Sequence, residues 1–207
     1  MTQPSGSSGD EKLDRVTPKL GARFEEALLF AARKHSGQTR KQSQVPYIAH
    51  VLSVTALVLE AGGDSDQAIA AVLHDVVEDC GGAPVLAEIR AKFGDRVANI
   101  VDGCTDTDAV PKPPWRARKE HYLRHLREAG EDVRLVSAAD KLHNVRSIVA
   151  DHRYVGEAVW ERFAGRREGT LWYYRAVLDI LRQGPGSRLV DELERAVLEL
   201  ERIPAQP

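Results

Sequence analysis

Apolar side chains recur at intervals of three and four residues along most of this chain. In the first such stretch they are Phe24, Leu28, Leu29 and Ala32. Comparable stripes occupy the ranges 48–61, 65–79, 84–93, 95–103, 115–129, 132–150, 156–164, 169–183 and 186–202. This spacing places apolar groups on one face of an α-helix, whereas no useful length of sequence alternates as a half-buried strand would. The sequence therefore predicts an all-α fold, built as a helical bundle.

Residues that cap or break helices separate these stripes. Asp64 or Ser65 can cap the stretch 65–79, because short polar side chains accept hydrogen bonds from the first free backbone N–H groups. Glycine and proline interrupt the chain at 81–82, 94, 130 and 184–186. One loop between two helices, from Gly37 to Pro46 (GQTRKQSQVP), is polar and basic. It is a candidate binding loop for an anion.

The length of the chain and its polar start bound the domain organisation. With 207 residues the chain is long enough for one substantial core and short for two. Its first residues are mostly Ser, Gly, Pro and charged groups, too poor in apolar surface to offset the entropy lost on ordering. We therefore expect a disordered lead over residues 1–18 and a single domain over residues 19–203.

Composition argues against several classes of partner. The 29 basic and 31 acidic side chains nearly cancel, so we expect neither a nucleic-acid partner nor a membrane partner. Cys80 and Cys104 fit neither a disulfide framework nor a cysteine-based zinc site. Reduced thiols and the lack of an apolar signal or spanning segment favour a cytoplasmic protein. The oligomeric state stays open.

The sequence LHDVVED at 73–79 places one imidazole and three carboxylates directly after an apolar run. Burying ionised carboxylates without a partner costs several kcal/mol, so a cation or water must reach them. On a single helix His74, Asp75, Glu78 and Asp79 fall within an arc of about 140°. Such a face suits a helix that lines a cleft, and a solvated polar face would show the same pattern.

Two other segments place polar side chains within apolar helices. His50 lies near the start of the stretch 48–61, where a lone histidine is compatible with packing or with a ligand role. Asp140 interrupts the apolar run of SAADKLHN at 137–144, where an acid without a partner would be costly. Together with His74 and Asp75, these residues supply two imidazoles and two carboxylates. This donor set suits Mn, Fe, Co or Zn.

The predicted helix that carries Asp140 presents further polar groups. Asp140, Asn144 and Ser147 fall within an arc of about 60° on an ideal helix. We expect His143 to point well away from them, either as a structural residue or in a second layer behind the ligands.

In order and spacing, the four donors resemble the ligands of the HD superfamily of metal-dependent phosphohydrolases, with His50, His74, Asp75 and Asp140 at the matching positions. The segments AARKHSGQTRKQSQVPYIAH, AAVLHDVVEDCGG, FGDRVANIVDGCTD and SAADKLHNVRSI also resemble the hydrolase domain of the RelA/SpoT homologues. The similarity covers about residues 24–183 and is greatest to the stand-alone small alarmone hydrolases. It implies one HD-type domain, without the synthetase domain of the long family members.

The resemblance also implies a reaction and a role for each motif. The expected reaction is Mn²⁺-dependent hydrolysis of the 3′-pyrophosphate of guanosine tetraphosphate or pentaphosphate, giving GDP or GTP and pyrophosphate. Glu78 and Asp79 match the catalytic pair, and Arg40 and Lys41 match the pair that holds the nucleotide. The positions that shape the nucleotide pocket are matched by Tyr47, Asn144 and Ser147.

The chemistry of the side chains supports these roles. A metal held by neutral histidine and anionic aspartate lowers the pKa of bound water, while a nearby carboxylate moves the proton. Arg40 and Lys41 supply the local positive charge that a polyphosphate requires and that the overall charge balance lacks. Fe, Co or Zn could replace Mn²⁺, because the donor set suits each of them.

Departures from the family pattern leave the substrate open. Ser147 stands where long family members often have Thr, and Asp106 stands where bifunctional members tend to carry Lys. Val51 follows His50 where the family usually has Pro, which changes a helix-start preference and no chemistry. Because stand-alone members of the resembled family differ in substrate, adenosine analogues (ppApp, pApp) or NADPH are alternative substrates. A non-catalytic alarmone-binding protein is an alternative function.

The late segment WERFAGRREGTLWYYRAVLDIL, at 160–181, is aromatic and basic. Its apolar side chains are compatible with packing of a late helix against the bundle. A second hypothesis is that Arg166, Arg167 or Tyr173 closes one edge of the nucleotide pocket.

Overall fold

The computed structural model describes residues 20–41, 43–109 and 111–204, and helices dominate this part of the chain. The α-helices are α1 (Ala22–Lys34), α2 (Ile48–Glu60), α3 (Ser65–Leu73), α4 (Val76–Cys80), α5 (Gly82–Phe93), α6 (Asp95–Cys104), α7 (Trp115–Glu128), α8 (Glu131–Val155), α9 (Arg166–Leu181) and α10 (Arg188–Glu201). A 3₁₀ helix, Gly156–Arg162, links α8 to α9. Over the described ranges, β-pairing is limited to one bridge between Thr39 and Pro46. The predicted all-α fold is confirmed.

Local sequence explains where several helices begin and end. The Asp64 carboxylate accepts a hydrogen bond from the Gln67 N–H, and the Gln67 side chain accepts one from the Asp64 N–H. This reciprocal pair starts α3. Gly81 and Gly94 follow α4 and α5 with φ angles of 140° and 88°, which residues with a side chain rarely adopt. These two glycines therefore stop the helices where the sequence predicts breaks.

The core is organised around α3 and α8. Residues 68–73 of α3 are all buried, because this helix packs against α1, α2, α6 and α8. The 25-residue α8 also packs against α9 and α10. Their buried apolar side chains form one continuous core, in agreement with the predicted single domain. The domain bounds 19–203 stay a prediction, and the expected disordered lead 1–18 lies outside the described residues.

The stretch 65–79 differs from the single helix that its periodicity predicts. α3 ends at Leu73, His74 and Asp75 form a turn, and α4 begins at Val76. Asp75 occupies the capping position of α4, yet its side chain caps no backbone N–H, and it instead accepts a hydrogen bond from Tyr47. No Gly or Pro lies at this interruption between α3 and α4, so the sequence pattern alone does not predict it.

The stretch 156–164 also differs from prediction, because Gly156–Arg162 forms a 3₁₀ helix rather than an α-helix. Repeats of 3.0 and about 3.6 residues are hard to distinguish over one or two turns.

Among the helices that the structure describes, none has the length and apolar character needed to cross a bilayer.

Candidate metal centre and cleft

Four side chains from three parts of the chain meet at one point. His50 belongs to α2, His74 and Asp75 to the turn between α3 and α4, and Asp140 to α8. The two histidine Nε2 atoms lie 3.2 Å apart. Asp75 Oδ2 lies 3.3 Å from His50 Nε2 and 3.0 Å from His74 Nε2. The corresponding distances from Asp140 Oδ1 are 3.3 and 3.9 Å.

Hydrogen bonds on the far side of each imidazole fix its tautomer. His74 Nδ1 lies 2.8 Å from the Ala71 carbonyl, and His50 Nδ1 lies 2.8 Å from His143 Nδ1. When these rings are neutral, we assign the proton of both His50 and His74 to Nδ1, which directs both Nε2 lone pairs at the carboxylates. Lone pairs and carboxylates repel one another, so this arrangement fits a cation.

The donor spacing also fits a metal ion. Metal–donor bonds of about 2.1 Å at angles of about 90–110° place neighbouring donor atoms about 3.0–3.4 Å apart. All but one of the separations given above fall in that range. His50, His74 and Asp140 each bring one possible ligand atom within 4.8 Å of the others, and all three are buried. The group could therefore hold a metal ion, with Asp75 beside it.

Charges within this cluster shift the pKa values of its members. Burial opposes protonation of His74, but the carboxylates of Asp75 and Asp140 outweigh it and raise the pKa to about 9. Burial likewise opposes ionisation of both carboxyl groups. The nearby imidazoles, and for Asp140 first the Lys141 ammonium, nevertheless hold the pKa of each carboxyl well below its usual range. The cluster thus attracts positive charge, either a proton or a metal ion.

His143 lies directly behind His50, so the expectation that it points well away from Asp140 is wrong. A residue three positions along an α-helix is displaced by only about 60° around the axis. Burial and the neighbouring His50 lower the pKa of His143 to about 4. At neutral pH the His143 ring is therefore uncharged and can accept the His50 proton, as a second layer behind the ligands.

The cluster opens into a cleft of about 610 Å³ between the α1–α2 loop, α4, α7, α8 and α9. Most residues of the predicted site line this cleft. They are Arg40, Lys41, Tyr47, His50, Asp75, Glu78, Asp79, Asp140, Asn144 and Ser147. His74 adjoins them through His50. The fold thus brings the whole predicted set together, and the individual roles stay predictions.

The two acids of α4 have different neighbours. Lys112 Nζ lies 2.9 Å from Glu78 Oε1, and the Asp106 N–H donates to Glu78 Oε2 at 3.3 Å. Asp79 Oδ2 instead accepts a hydrogen bond from Gln38 Nε2 at 2.8 Å. The acids therefore contact different walls of the cleft, formed by the loop before α7 and by the α1–α2 loop.

The predicted pocket residues are connected to the donor cluster. Arg40 Nη2 donates to Asn144 Oδ1 at 2.7 Å, and its guanidinium lies 5.7 Å from the centre of the Tyr47 ring. The Tyr47 hydroxyl donates to Asp75 Oδ2 at 2.6 Å. Ser147, one turn beyond Asn144, donates to the backbone of its own helix. The basic loop is thereby held against α8 and beside the donors.

Several cations in the cleft are absent from the sequence-based prediction. They are Lys112, Arg118, Lys119, Lys141 and Arg162. Arg118 and Lys119 both pair with the buried Asp106, while Arg162 Nη1 lies 2.6 Å from Asp151 Oδ2. The basic run RARK at 116–119 was a possible signal. It resembles an ordinary solvated helix face, so only the packing of α7 shows that part of it faces the cleft.

Of the three residues in the segment 160–181 that could close one edge of the pocket, the structure places one at the cleft. Tyr173 lines the cleft, whereas Arg166 and Arg167, both within the described residues, do not. Arg167 Nη2 donates instead to the Ile203 carbonyl at 2.6 Å. Arg162, one turn earlier, is the arginine found at this edge.

Comparisons with known proteins agree with this geometry. A family model described as HD domain matches residues 27–171. A Xenopus tropicalis protein named guanosine-3′,5′-bis(diphosphate) 3′-pyrophosphohydrolase MESH1 is 40% identical over 126 residues, or 59% of this chain and 68% of that one. An Aquifex aeolicus guanosine-3′,5′-bis(diphosphate) 3′-pyrophosphohydrolase is 36% identical over 140 residues, 67% of this chain but 19% of its own length. A solved structure of a metazoan ortholog of SpoT that hydrolyses ppGpp superposes with a TM-score of 0.73 at 28% identity, covering 89% of this chain and 98% of that one.

Proposed function

Because this chain belongs to the HD domain family, we propose that it is a metal-dependent hydrolase of guanosine tetraphosphate and pentaphosphate. It would remove the 3′-pyrophosphate and leave GDP or GTP. The observation that carries the proposal is the convergence of His50, His74, Asp75 and Asp140 in a cleft that also holds two acids and several cations. The names of the matching relatives support the choice of substrate.

The donor cluster would hold the metal. His50 and His74 would bind through Nε2, and Asp75 and Asp140 through their carboxylates. When bound, a divalent ion supplies a water of lowered pKa and positive charge beside a phosphoryl oxygen. We propose Mn²⁺ as the ion, although Fe, Co and Zn suit the same donors.

The acids of α4 would handle the proton. Glu78 and Asp79 lie one turn beyond the donors and line the same cleft. A carboxylate within hydrogen-bond reach of the attacking water can accept its proton and later pass it to the leaving group. Because their partners belong to different walls of the cleft, the two acids would both lie beside the bound phosphate.

The substrate carries phosphates at both its 3′ and 5′ positions, and cations lie on two sides of the cleft. Arg40 and Lys41 come from the α1–α2 loop, whereas Lys112 and Lys119 come from α7 and the segment before it. We propose that these two groups contact the two phosphate chains, since charge-assisted contacts to phosphate are the strong ones. Tyr47, Asn144 and Ser147 would shape the nucleotide pocket between them.

The proposed enzyme works on a small nucleotide in the cytoplasm, without nucleic acid or membrane as a partner. The free thiols of Cys80 and Cys104 support a reducing compartment. The near balance of charge supports the absence of a nucleic-acid partner.

The direct test is to incubate the purified protein with Mn²⁺ and, in turn, with ppGpp, pppGpp, ppApp, pApp and NADPH. We expect turnover to be fastest with ppGpp or pppGpp, when it is followed as pyrophosphate release from the 3′-pyrophosphate nucleotides and as phosphate release from NADPH. Asp75→Ala should lose bound metal and turnover together, whereas Glu78→Ala should keep its metal and lose rate by about a hundredfold or more. Faster turnover of an adenosine nucleotide or NADPH would reassign the substrate. Tight binding of ppGpp without any turnover would instead identify a non-catalytic alarmone-binding protein.

A further inference from the structure

Asp79 is an exposed acid on a very short helix. Asp79 lies on the five-residue α4, and because its side chain is exposed, packing restrains it little. Among the described residues, the hydrogen bond to this carboxylate comes from the Gln38 amide, at 2.8 Å. An aspartate in such a setting has several rotamers available. The contact with Gln38 selects one of them.

The Gln38 amide is itself held in one orientation. Its Oε1 lies 2.7 Å from His35 Nδ1, and His35 is only 3% exposed. The other ring nitrogen, His35 Nε2, is buried without a hydrogen-bond partner in the described part of the chain. A proton on Nε2 would lack an acceptor, so the proton lies on Nδ1 and is donated to Gln38. The amide N–H group of Gln38 is thereby turned toward Asp79.

The segment that contains His35 and Gln38 is connected to the donor cluster through Tyr47. The Gln38 carbonyl accepts a hydrogen bond from the Tyr47 N–H at 2.9 Å. The His35 ring stacks on the Tyr47 ring, with centroids 4.9 Å apart. Tyr47 in turn donates to Asp75 at 2.6 Å. The position of Gln38, and through it that of Asp79, is therefore fixed relative to a donor of the cluster.

We propose that Gln38 is a positioning residue that holds Asp79 toward the reacting phosphate, with His35 as its support. The inference rests on the proposed function and refines how that site moves a proton. A proton acceptor must lie within hydrogen-bond reach of its donor. A displacement of about 1 Å can lower the rate by about a hundredfold. A fixed contact to an otherwise mobile acid therefore acts on turnover more than on substrate binding.

Gln38→Met removes both hydrogen bonds and keeps the length of the side chain, and Ser36→Ala in the same loop serves as the control. Rates are measured on whichever nucleotide the wild type hydrolyses. We expect Gln38→Met to lower kcat by about tenfold to a hundredfold, with KM and Mn²⁺ affinity within about threefold of wild type. In an Asp79→Ala background the same change should have no further effect on kcat. Equal losses in both backgrounds would overturn the proposal.

Two variants of His35 separate positioning from packing. His35→Phe keeps a ring against Tyr47 and removes the Nδ1 proton, whereas His35→Asn removes the ring and keeps an amide donor near that place. If His35 acts by orienting Gln38, kcat should be higher in His35→Asn than in His35→Phe. The opposite order would show that His35 acts only through packing, which contradicts its assigned role.

Crystal structures of the wild type and Gln38→Met test the inference without substrate. We expect the Asp79 carboxylate to be displaced or disordered in the variant. An Asp79 carboxylate in its original place would refute the positioning role. If the wild type hydrolyses none of the nucleotides, the proposed function fails, while this structural comparison still decides the role of Gln38.

Discussion

At the scale of single residues, a proton and a metal ion would compete for His74 Nε2 in the proposed metal site. The carboxylates of Asp75 and Asp140 outweigh the effect of burial and raise the pKa of His74 to about 9, so metal-free protein holds a proton there at neutral pH. A metal ligand must present a free lone pair, and binding therefore releases that proton. The attraction that retains the ion when bound also makes its binding depend on pH.

Mn²⁺ binding should therefore release about one proton from His74 at neutral pH. Its apparent affinity should rise by about tenfold per pH unit and level off above about pH 9. Isothermal titration calorimetry in buffers of different ionisation enthalpy measures the released protons. In a His74→Gln variant, which has no such proton, Mn²⁺ should bind more weakly, and any remaining affinity should not show this dependence on pH. An affinity that does not change with pH below 9 would contradict the shift assigned to His74.

The raised pKa of His74 also makes the stability of the metal-free protein depend on pH. A raised pKa means that the folded chain binds the His74 proton more tightly than the unfolded chain does. The resulting stabilisation is complete below about pH 6.5 and is lost as the pH rises through about 9. Urea unfolding in the presence of a chelator should show this loss, and added Mn²⁺ should reduce it.

The residues of the donor cluster were predictable from the sequence, as were Tyr47 and Asn144 beside it, whereas other neighbours were not. A histidine or an aspartate inside an apolar helix stands out because burying it alone is costly. Lys141 and Gln38 carry no such signal, since each also occurs on ordinary solvated faces, and for His143 the sequence left a structural role and a second-layer role open. Their contacts with His50, Asp140 and Asp79 depend on how separate helices pack.

At the scale of helices, the periodicity of the sequence predicts one helix over 65–79, whereas the structure has two, α3 and α4. The sequence around His74 and Asp75 contains no residue that breaks a helix, yet the regular helix is interrupted there. The Asp75 carboxylate lies close to two imidazoles and accepts a hydrogen bond from Tyr47. These tertiary contacts outweigh local helix propensity, which is a weak preference of a few tenths of a kcal/mol per residue.

The contact between α6 and α8 depends on a glycine. A Cβ on Gly103 would lie 2.6 Å from Val133 Cγ2, and a valine side chain has little freedom to move aside. Gly103→Ala should therefore lower the free energy of unfolding by about 1–3 kcal/mol. This is expected although alanine favours a helix over glycine by about 1 kcal/mol. Urea unfolding followed by circular dichroism measures the change.

The double variant Gly103→Ala/Val133→Ala is the matched control for this contact. Shortening Val133 makes room for the new methyl group, so the double variant should be more stable than the sum of the two single changes implies. If the stability losses of the two single variants simply add in the double variant, the methyl group introduced at position 103 and the Val133 side chain do not contact each other. A single Gly103→Ala variant as stable as the wild type would contradict the close approach of α6 and α8.

At the scale of the whole molecule, the cleft lies on one side of α8 and α10 packs elsewhere on it. Apart from the interruption of the stretch 65–79 and the 3₁₀ helix at 156–162, helix bounds from α2 onward follow the predicted stripes to within about five residues, because each stripe faces the common core. The order in which helices contact one another was not predictable, since periodicity gives the buried face of a helix and not its partner. That α7 supplies cations to the cleft is a result of this packing.

We therefore expect a substitution in the core-facing side of α10 to lower stability without changing turnover. Leu193 is fully buried, α10 packs against α8 and α9, and none of the described residues of α10 lines the cleft. Leu193→Ala should lower the free energy of unfolding by about 2–5 kcal/mol. Well below the melting temperature, kcat and KM should stay within about twofold of wild type, because the lost packing does not touch the site.

Leu142→Ala is the matched comparison for Leu193→Ala. Leu142 is also fully buried, but it lies on α8 between Asp140 and His143. The cavity left there removes support from the donor cluster, so this variant should lose stability, Mn²⁺ affinity and kcat together. Urea unfolding, calorimetric titration of Mn²⁺ and initial rates measure the three quantities on both variants. If Leu193→Ala lowers kcat as strongly as Leu142→Ala at equal loss of stability, α10 is coupled to the site and the separation is wrong.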